Sequence, residues 1–269
     1  MLYIIFSSVD IYHNPRYILL AFMLINDGLN LMLCFTMYIL AMQLLIILMP
    51  LCCTLYTLSI ATFIATQYYL AAMSLECYIA ICFPLRHCLI CTPKRAMIVV
   101  VAIWVWSTIP YAVESVVISV TLKDPLHIHI FCLTLYLLVN SVQTVIRLLN
   151  FVLCFTFVGL TILFSYVKIM SVALRKNSQT SSASKAGKTV LIHGVQLFLC
   201  MCSLLANFTE IGLGQFIEVF TLCSFTIFTY VPRLLSPLIY GIRDAELRRH
   251  IRKHLPLPPK IGFLMNLLH

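Results

Sequence analysis

Residues 17–75 read YILLAFMLINDGLNLMLCFTMYILAMQLLIILMPLCCTLYTLSIATFIATQYYLAAMSL, and Asp27 is the single member of the Asp, Glu, Lys, Arg and His set among them. Water cannot cover a run of this length and polarity, whereas a lipid bilayer can, because a helical span needs about 20 predominantly apolar residues. The run is too long for one span and is divided at Gln43 and Pro50. Working outward, the whole chain has the same character: 269 residues, 62% hydrophobic and 10% charged, against about 45–50% and about 25% in soluble domains. A mean hydropathy of +1.01 excludes both a soluble globule and a disordered chain. The expected fold class is all-α, a polytopic membrane helix bundle.

Long apolar stretches bounded by charge or proline place six spans at about 17–41, 48–82, 94–118, 137–167, 187–211 and 217–241. Met1 to Val9, ahead of Asp10, is too short to cross a core of about 30 Å at about 1.5 Å per residue. Orientation follows from the basic residues of the short loops. Arg16, Arg86, Lys94, Arg95, Lys168, Arg175, Lys176, Lys185, Lys188, Arg243, Arg248, Arg249, Arg252, Lys253 and Lys260 all fall on one face. The other face holds Lys123 and Arg147, with Arg233 inside the last span. The basic face is therefore cytosolic, both termini are expected there, and the formal charge of +9 is a topology signal rather than a nucleic-acid surface. Leu247, Ile251 and Leu255 recur at four-residue spacing among basic residues, which suits a membrane-surface helix over 243–255 ahead of a cytosolic tail, 256–269.

Ionisable groups inside spans are the functional candidates, because an unpaired charge there costs several kcal/mol. Asp27 leads them, either as a functional carboxyl or as one hydrogen-bonded between helices. Glu114, Glu210 and Glu218 lie near outer span ends and read as solvated rim residues, while Arg233 either snorkels or pairs with a carboxylate. Of the twelve cysteines, Cys52 and Cys132 both fall on the outer face, where a disulfide is chemically permitted, with Cys53 a rival for Cys52. Cys88 and Cys91 have the spacing of half a zinc site with nothing to complete it. His127, His129, His193, His250 and His254 are scattered, and Asn207-Phe-Thr209 matches a glycosylation sequon too close to the bilayer to be used. No metal site, cofactor site or catalytic grouping is expected, and the protein is expected not to be an enzyme.

The cytosolic ends of the spans carry a further pattern. Met73 to His87, MSLECYIAICFPLRH, resembles the signature closing the third helix of odorant receptors, within the rhodopsin-like G-protein-coupled receptors. Asn14-Pro-Arg-Tyr17 with Asp27 resembles that family's second helix, and Ser165-Tyr166 its fifth. Lys185-Ala186, Thr189 and His193 resemble its sixth-helix entry, and Ser236-Pro-Leu-Ile-Tyr240-Gly-Ile-Arg243-Asp244 its seventh-helix exit. The likeness spans about residues 12–255, and its wording is closer to fish-type than to mammalian odorant receptors.

The resemblance implies a seven-helix receptor fold, with most of the first helix lacking from this sequence, in a multi-pass protein of the plasma membrane. It implies a small-molecule odorant and a heterotrimeric G protein as partners, and a disulfide between Cys52 and Cys132. Twenty-four residues of helix, about 36 Å, separate Cys52 from Glu76, so the thiol and the carboxylate fall at opposite membrane faces. Glu76, Cys77, Tyr78, Tyr166 and Tyr240 take the positions of the G-protein switch, and Asp27 that of a core carboxylate facing Ser236. Cys77 stands where the family has arginine, and it supplies neither charge nor a fork of donors, which implies impaired signalling. By span position, a pocket would be lined by Ser59, Phe63, Asn150, Cys154, Asn207, Thr226 and Tyr230. A six-span transporter or channel is the alternative, disfavoured by the absence of a repeat, of paired intramembrane charges and of abundant glycine, 8 of 269.

Overall fold

The computed structural model describes residues 14–43, 45–121, 129–131 and 141–175, together with Val190, Leu191, Gly194, Val195, Phe198 and Arg233. The two expected spans at 187–211 and 217–241 fall outside the described residues apart from those six positions, as do the expected surface helix and tail. So do Cys132, Asn207, Glu210, Glu218, Thr226, Tyr230, Ser236 and Tyr240.

Four long helices dominate: α1 (Pro15–Met42), α2 (Met49–Cys82), α4 (Pro93–Thr121) and α5 (Ser141–Arg175), with the short α3 (Pro84–Ile90) between α2 and α4. Each long helix contains a stretch long and apolar enough to cross a membrane. Proline starts four of the five sequence-local breaks: Pro15, Pro84 and Pro93 open helices and Pro50 lies in the first turn of α2, where a missing N–H removes no intrahelical bond. Pro110 lies inside α4, an interior position that membrane helices tolerate. Helix α5 runs on to Arg175, so Lys168 is helical, with its Nζ 5.8 Å from the centroid of the Phe164 ring.

Helix α2 is the axis of the bundle and packs against α1, α4 and α5. Small residues let neighbours approach it: Ala61, Ala65, Ala71, Thr62, Thr66 and Ser74 are all buried, the packing used where lipid supplies no hydrophobic drive between helices. Helix α4 instead turns Val101, Val105, Ile109, Val113 and Val116 outward, as a lipid-facing helix does.

One feature outside the all-helical expectation lies on the outer face. Strand β1 (Ile46–Leu48) pairs antiparallel with β2 (His129–Phe131), in the register Ile46↔Phe131 and Leu48↔His129. Extended residues between α1 and α2 expose N–H and C=O groups that need partners, and the α4–α5 connection supplies them. The ribbon thereby ties that connection to the start of α2.

Candidate functional site

Among the described residues three polar clusters interrupt the apolar bundle, at its middle, its outer half and its cytosolic end. The middle cluster begins with Asn26 and Asn30, four residues apart and so on one face of α1. Asn26 Nδ2 donates to the Thr62 carbonyl (2.8 Å) and to Thr66 Oγ1 (3.0 Å). Asn30 Nδ2 donates to the Ser59 carbonyl (2.7 Å) and Thr62 Oγ1 (2.7 Å). Thr66 Oγ1 in turn donates to Asp27 Oδ1 at 2.7 Å. Two amides thus reach carbonyl and hydroxyl groups on the buried face of α2, and Thr66 joins the Asp27 carboxylate to the same network.

Asp27 there meets Arg233, whose Nη1 lies 3.6 Å from Oδ1. The guanidinium also lies over the Phe63 ring, 5.3 Å from its centroid. The alternatives left by the sequence for Arg233 resolve in favour of pairing. Both side chains of the pair are buried, and among the described residues Arg233 Nε, Nη1 and Nη2 and Asp27 Oδ2 find no hydrogen-bond partner. Ser236, the expected partner of Asp27, lies outside the described residues.

The outer cluster joins α2, α4 and α5. Arg147 Nε donates to Glu114 Oε1 at 2.5 Å, its Nη2 contacts the same oxygen, and its Nη1 donates to the Tyr56 hydroxyl at 2.8 Å. The guanidinium stacks 4.9 Å from the centroid of the Tyr56 ring. Ser115 gives its hydroxyl proton to the Tyr111 carbonyl (3.0 Å), leaving its oxygen to accept from Thr57 at 2.5 Å. Cys53, Tyr56, Thr57, Tyr111, Glu114, Ser115 and Arg147 enclose a cavity of about 10 Å³, room for one water. This corrects the reading of Glu114 as a solvated rim residue: its side chain is only 15% exposed because Arg147, expected on the outer face, turns into the bundle to meet it. Sequence spacing could not pair them, since 33 residues and a loop lie between.

Near this cluster Cys52 is buried and disulfide-bonded, while its neighbour Cys53 is a free thiol. Of the expected pocket residues, Ser59 turns toward α1, its Oγ 3.5 Å from Cys34 Sγ, and Phe63 lies under Arg233. Cys154 is buried and Asn150 half-buried on α5.

At the cytosolic end, Glu76 Oε1 lies 3.0 Å from His87 Nε2 of α3. Cys77 is buried beside it. Tyr78 packs edge-on against Phe83 and Phe164, with centroids 5.8 and 5.4 Å away, and Tyr166 packs against the main core. Burial, reinforced by the Glu76 carboxylate, pushes the Cys91 thiol up from its ordinary value, which disfavours the thiolate that a metal requires. Among the described residues no three His, Cys, Asp or Glu side chains cluster as metal ligands.

Residues 1–240 match the family model of the seven-transmembrane receptors of the rhodopsin family. The chain belongs to that family. As such it is a multi-pass protein of the plasma membrane, a receptor and not an enzyme, and the transporter or channel alternative falls. Among curated receptors it is 33% identical over 188 residues to odorant receptor 131-2 of Danio rerio, covering 66% of this chain and 56% of that one. It is 27% identical over 193 residues to olfactory receptor 1073 of Rattus norvegicus, 69% of this chain and 61% of the relative. To olfactory receptor 5AK3 of Homo sapiens it is 29% identical over 205 residues, 72% and 67% respectively. The chain thus spans somewhat over half the length of these relatives.

Proposed function

We propose that this rhodopsin-family receptor binds a small-molecule odorant in its outer half and signals through a heterotrimeric G protein at its cytosolic face. The observation that carries this reading is the similarity to odorant and olfactory receptors across about two thirds of the chain. Support comes also from the distribution of polar groups. The outer half has a polar cluster between three helices around a water-sized cavity, and bundles accept small ligands between their helices. The cytosolic end has the Glu76, Cys77 and Tyr78 run, with Tyr166 on the neighbouring α5 and Tyr240 in the chain beyond.

In this reading Cys132 is the disulfide partner of Cys52, holding the outer loop over the bundle, and Asp27 shares the core with Ser236. Asn150, Cys154, Asn207, Thr226 and Tyr230 are the pocket wall toward which a ligand enlarges the cavity. A ligand that binds the open-faced state more tightly shifts the population toward it, by no more than its differential affinity. Cys77 weakens the last step, because a buried thiol cannot offer a G protein the charged fork of an arginine.

The test is guanine-nucleotide exchange on a purified heterotrimeric G protein by the receptor in lipid nanodiscs, across an odorant panel. Weak exchange that rises several-fold in Cys77→Arg is the expected result. Equal and robust exchange from both proteins removes the role assigned to Cys77, and odorant binding with no exchange from either removes the coupling.

A further inference from the structure

We propose that Arg147 is the anchor for a small carboxylate ligand, which displaces Glu114 from the guanidinium and takes its place in the outer cavity. The inference rests on the odorant-binding reading and gives the ligand a chemical class. It begins from the unequal freedom of the two charges. Arg147 is held on two sides by one ring: Nη1 donates to the Tyr56 hydroxyl and the guanidinium stacks on the Tyr56 face. Its side chain is 7% exposed against 15% for Glu114. Glu114 lies two turns from the end of α4 and is the less buried of the two side chains. The cation is fixed and the anion is exchangeable.

The geometry of the contact favours exchange. Nε and Nη2 both converge on the single oxygen Oε1 of Glu114, whereas a guanidinium prefers two parallel bonds to two carboxylate oxygens. A free carboxylate, without a helix backbone restricting its approach, can adopt that arrangement. Its charge also matters. Replacing one anion by another leaves the buried guanidinium compensated, whereas a neutral or cationic ligand would strand it at a cost of several kcal/mol. With Glu114 in place the cavity holds about one water, so the ligand enters only as the carboxylate of Glu114 leaves. Thr57, Ser115 and Tyr111 then border the space beside the headgroup.

Saturation-transfer NMR titrations of the full chain in nanodiscs test this, using the straight-chain acids from butyrate to octanoate, each against its own primary amide. At least one acid should bind about tenfold more tightly than its amide, the size of a charge-assisted contact. Glu114→Gln should tighten acid binding by removing the competing anion, while Arg147→Gln should abolish the preference for acid over amide and Arg147→Lys restore part of it. Opposite signs from the two halves of one ion pair are the signature, because a purely structural pair weakens binding from either side. If Arg147→Gln fails to fold, Glu114→Gln, which keeps the anchor, still carries the sign. Acids and amides binding alike overturns the anchor while leaving odorant binding intact. Weaker acid binding in Glu114→Gln overturns it as well, and a chain that binds neither series overturns the anchor and weighs against the odorant reading itself.

Discussion

The two arginine–carboxylate pairs among the described residues are built from the same chemistry and differ in almost every physical respect. Glu114 and Arg147 make direct hydrogen bonds, Tyr56 gives Arg147 a further partner, and both lie in the outer half. Asp27 and Arg233 lie at the bundle centre, 3.6 Å apart, with the guanidinium nitrogens making no hydrogen bond. The first pair is positioned to exchange. The second sets two buried charges side by side, with Thr66 as a further partner of Asp27 alone, and the difference teaches that an ion pair in a membrane bundle is defined by its surroundings rather than by its distance.

The largest effect is expected from breaking the central pair. Asp27→Asn leaves a guanidinium that cannot lose its proton, whereas Arg233→Met leaves a carboxyl that can gain one. Asp27→Asn should therefore be the worse of the two, with a loss of about 3–5 kcal/mol, read as thermal unfolding in nanodiscs. The double variant Asp27→Asn/Arg233→Met should recover most of it; a double variant no better than Asp27→Asn would show that the charges are not compensating each other.

Next comes the outer pair, where the surviving partner retains contacts. Glu114→Gln and Tyr56→Phe should each cost about 1–3 kcal/mol, and a double-mutant cycle between them should show coupling through Arg147, because one guanidinium serves both. Independent, additive losses would mean that Tyr56 acts on Arg147 only as apolar packing.

A smaller effect is expected from the amides between α1 and α2. Asn30→Leu removes two donated bonds and should cost about 0.6–1.7 kcal/mol, between the mean and the maximum for side-chain hydrogen bonds between membrane helices. A loss as large as that of Asp27→Asn would make the amide, not the carboxylate, the main polar tie. Smallest of all is Glu76 with His87, since the imidazole is 22% exposed and an accessible pair contributes about 0–1 kcal/mol. His87→Gln should leave the unfolding temperature nearly unchanged, and a marked drop would assign the pair a share of the helix packing.

Much of the architecture was legible before any coordinates. The apolar run broken at Gln43 and Pro50 contains α1 and the start of α2, and Pro84 and Pro93 open the next two helices. Local chemistry sets these boundaries, so a one-dimensional reading reaches them. Asp27 was legible too, as a carboxylate that has to be compensated. Its compensation was not, because Arg233 is more than two hundred positions away and proximity in a bundle is set by which helix faces pack. The same blindness hid Tyr56 and Tyr111 from the outer site and left Ser59 among the pocket residues, although it faces α1. Spacing along one helix says which residues share a face, and nothing about what that face meets.

The sequence by itself determined the solvent, the four long helices among the described residues and the family, because hydropathy, proline and short motifs are all local properties. Only the tertiary structure decided that Arg147 turns inward to Glu114 and that Arg233 closes on Asp27. In a bilayer a charge has no water to fall back on, so its partner is whichever opposite charge the packing of distant helices brings within reach.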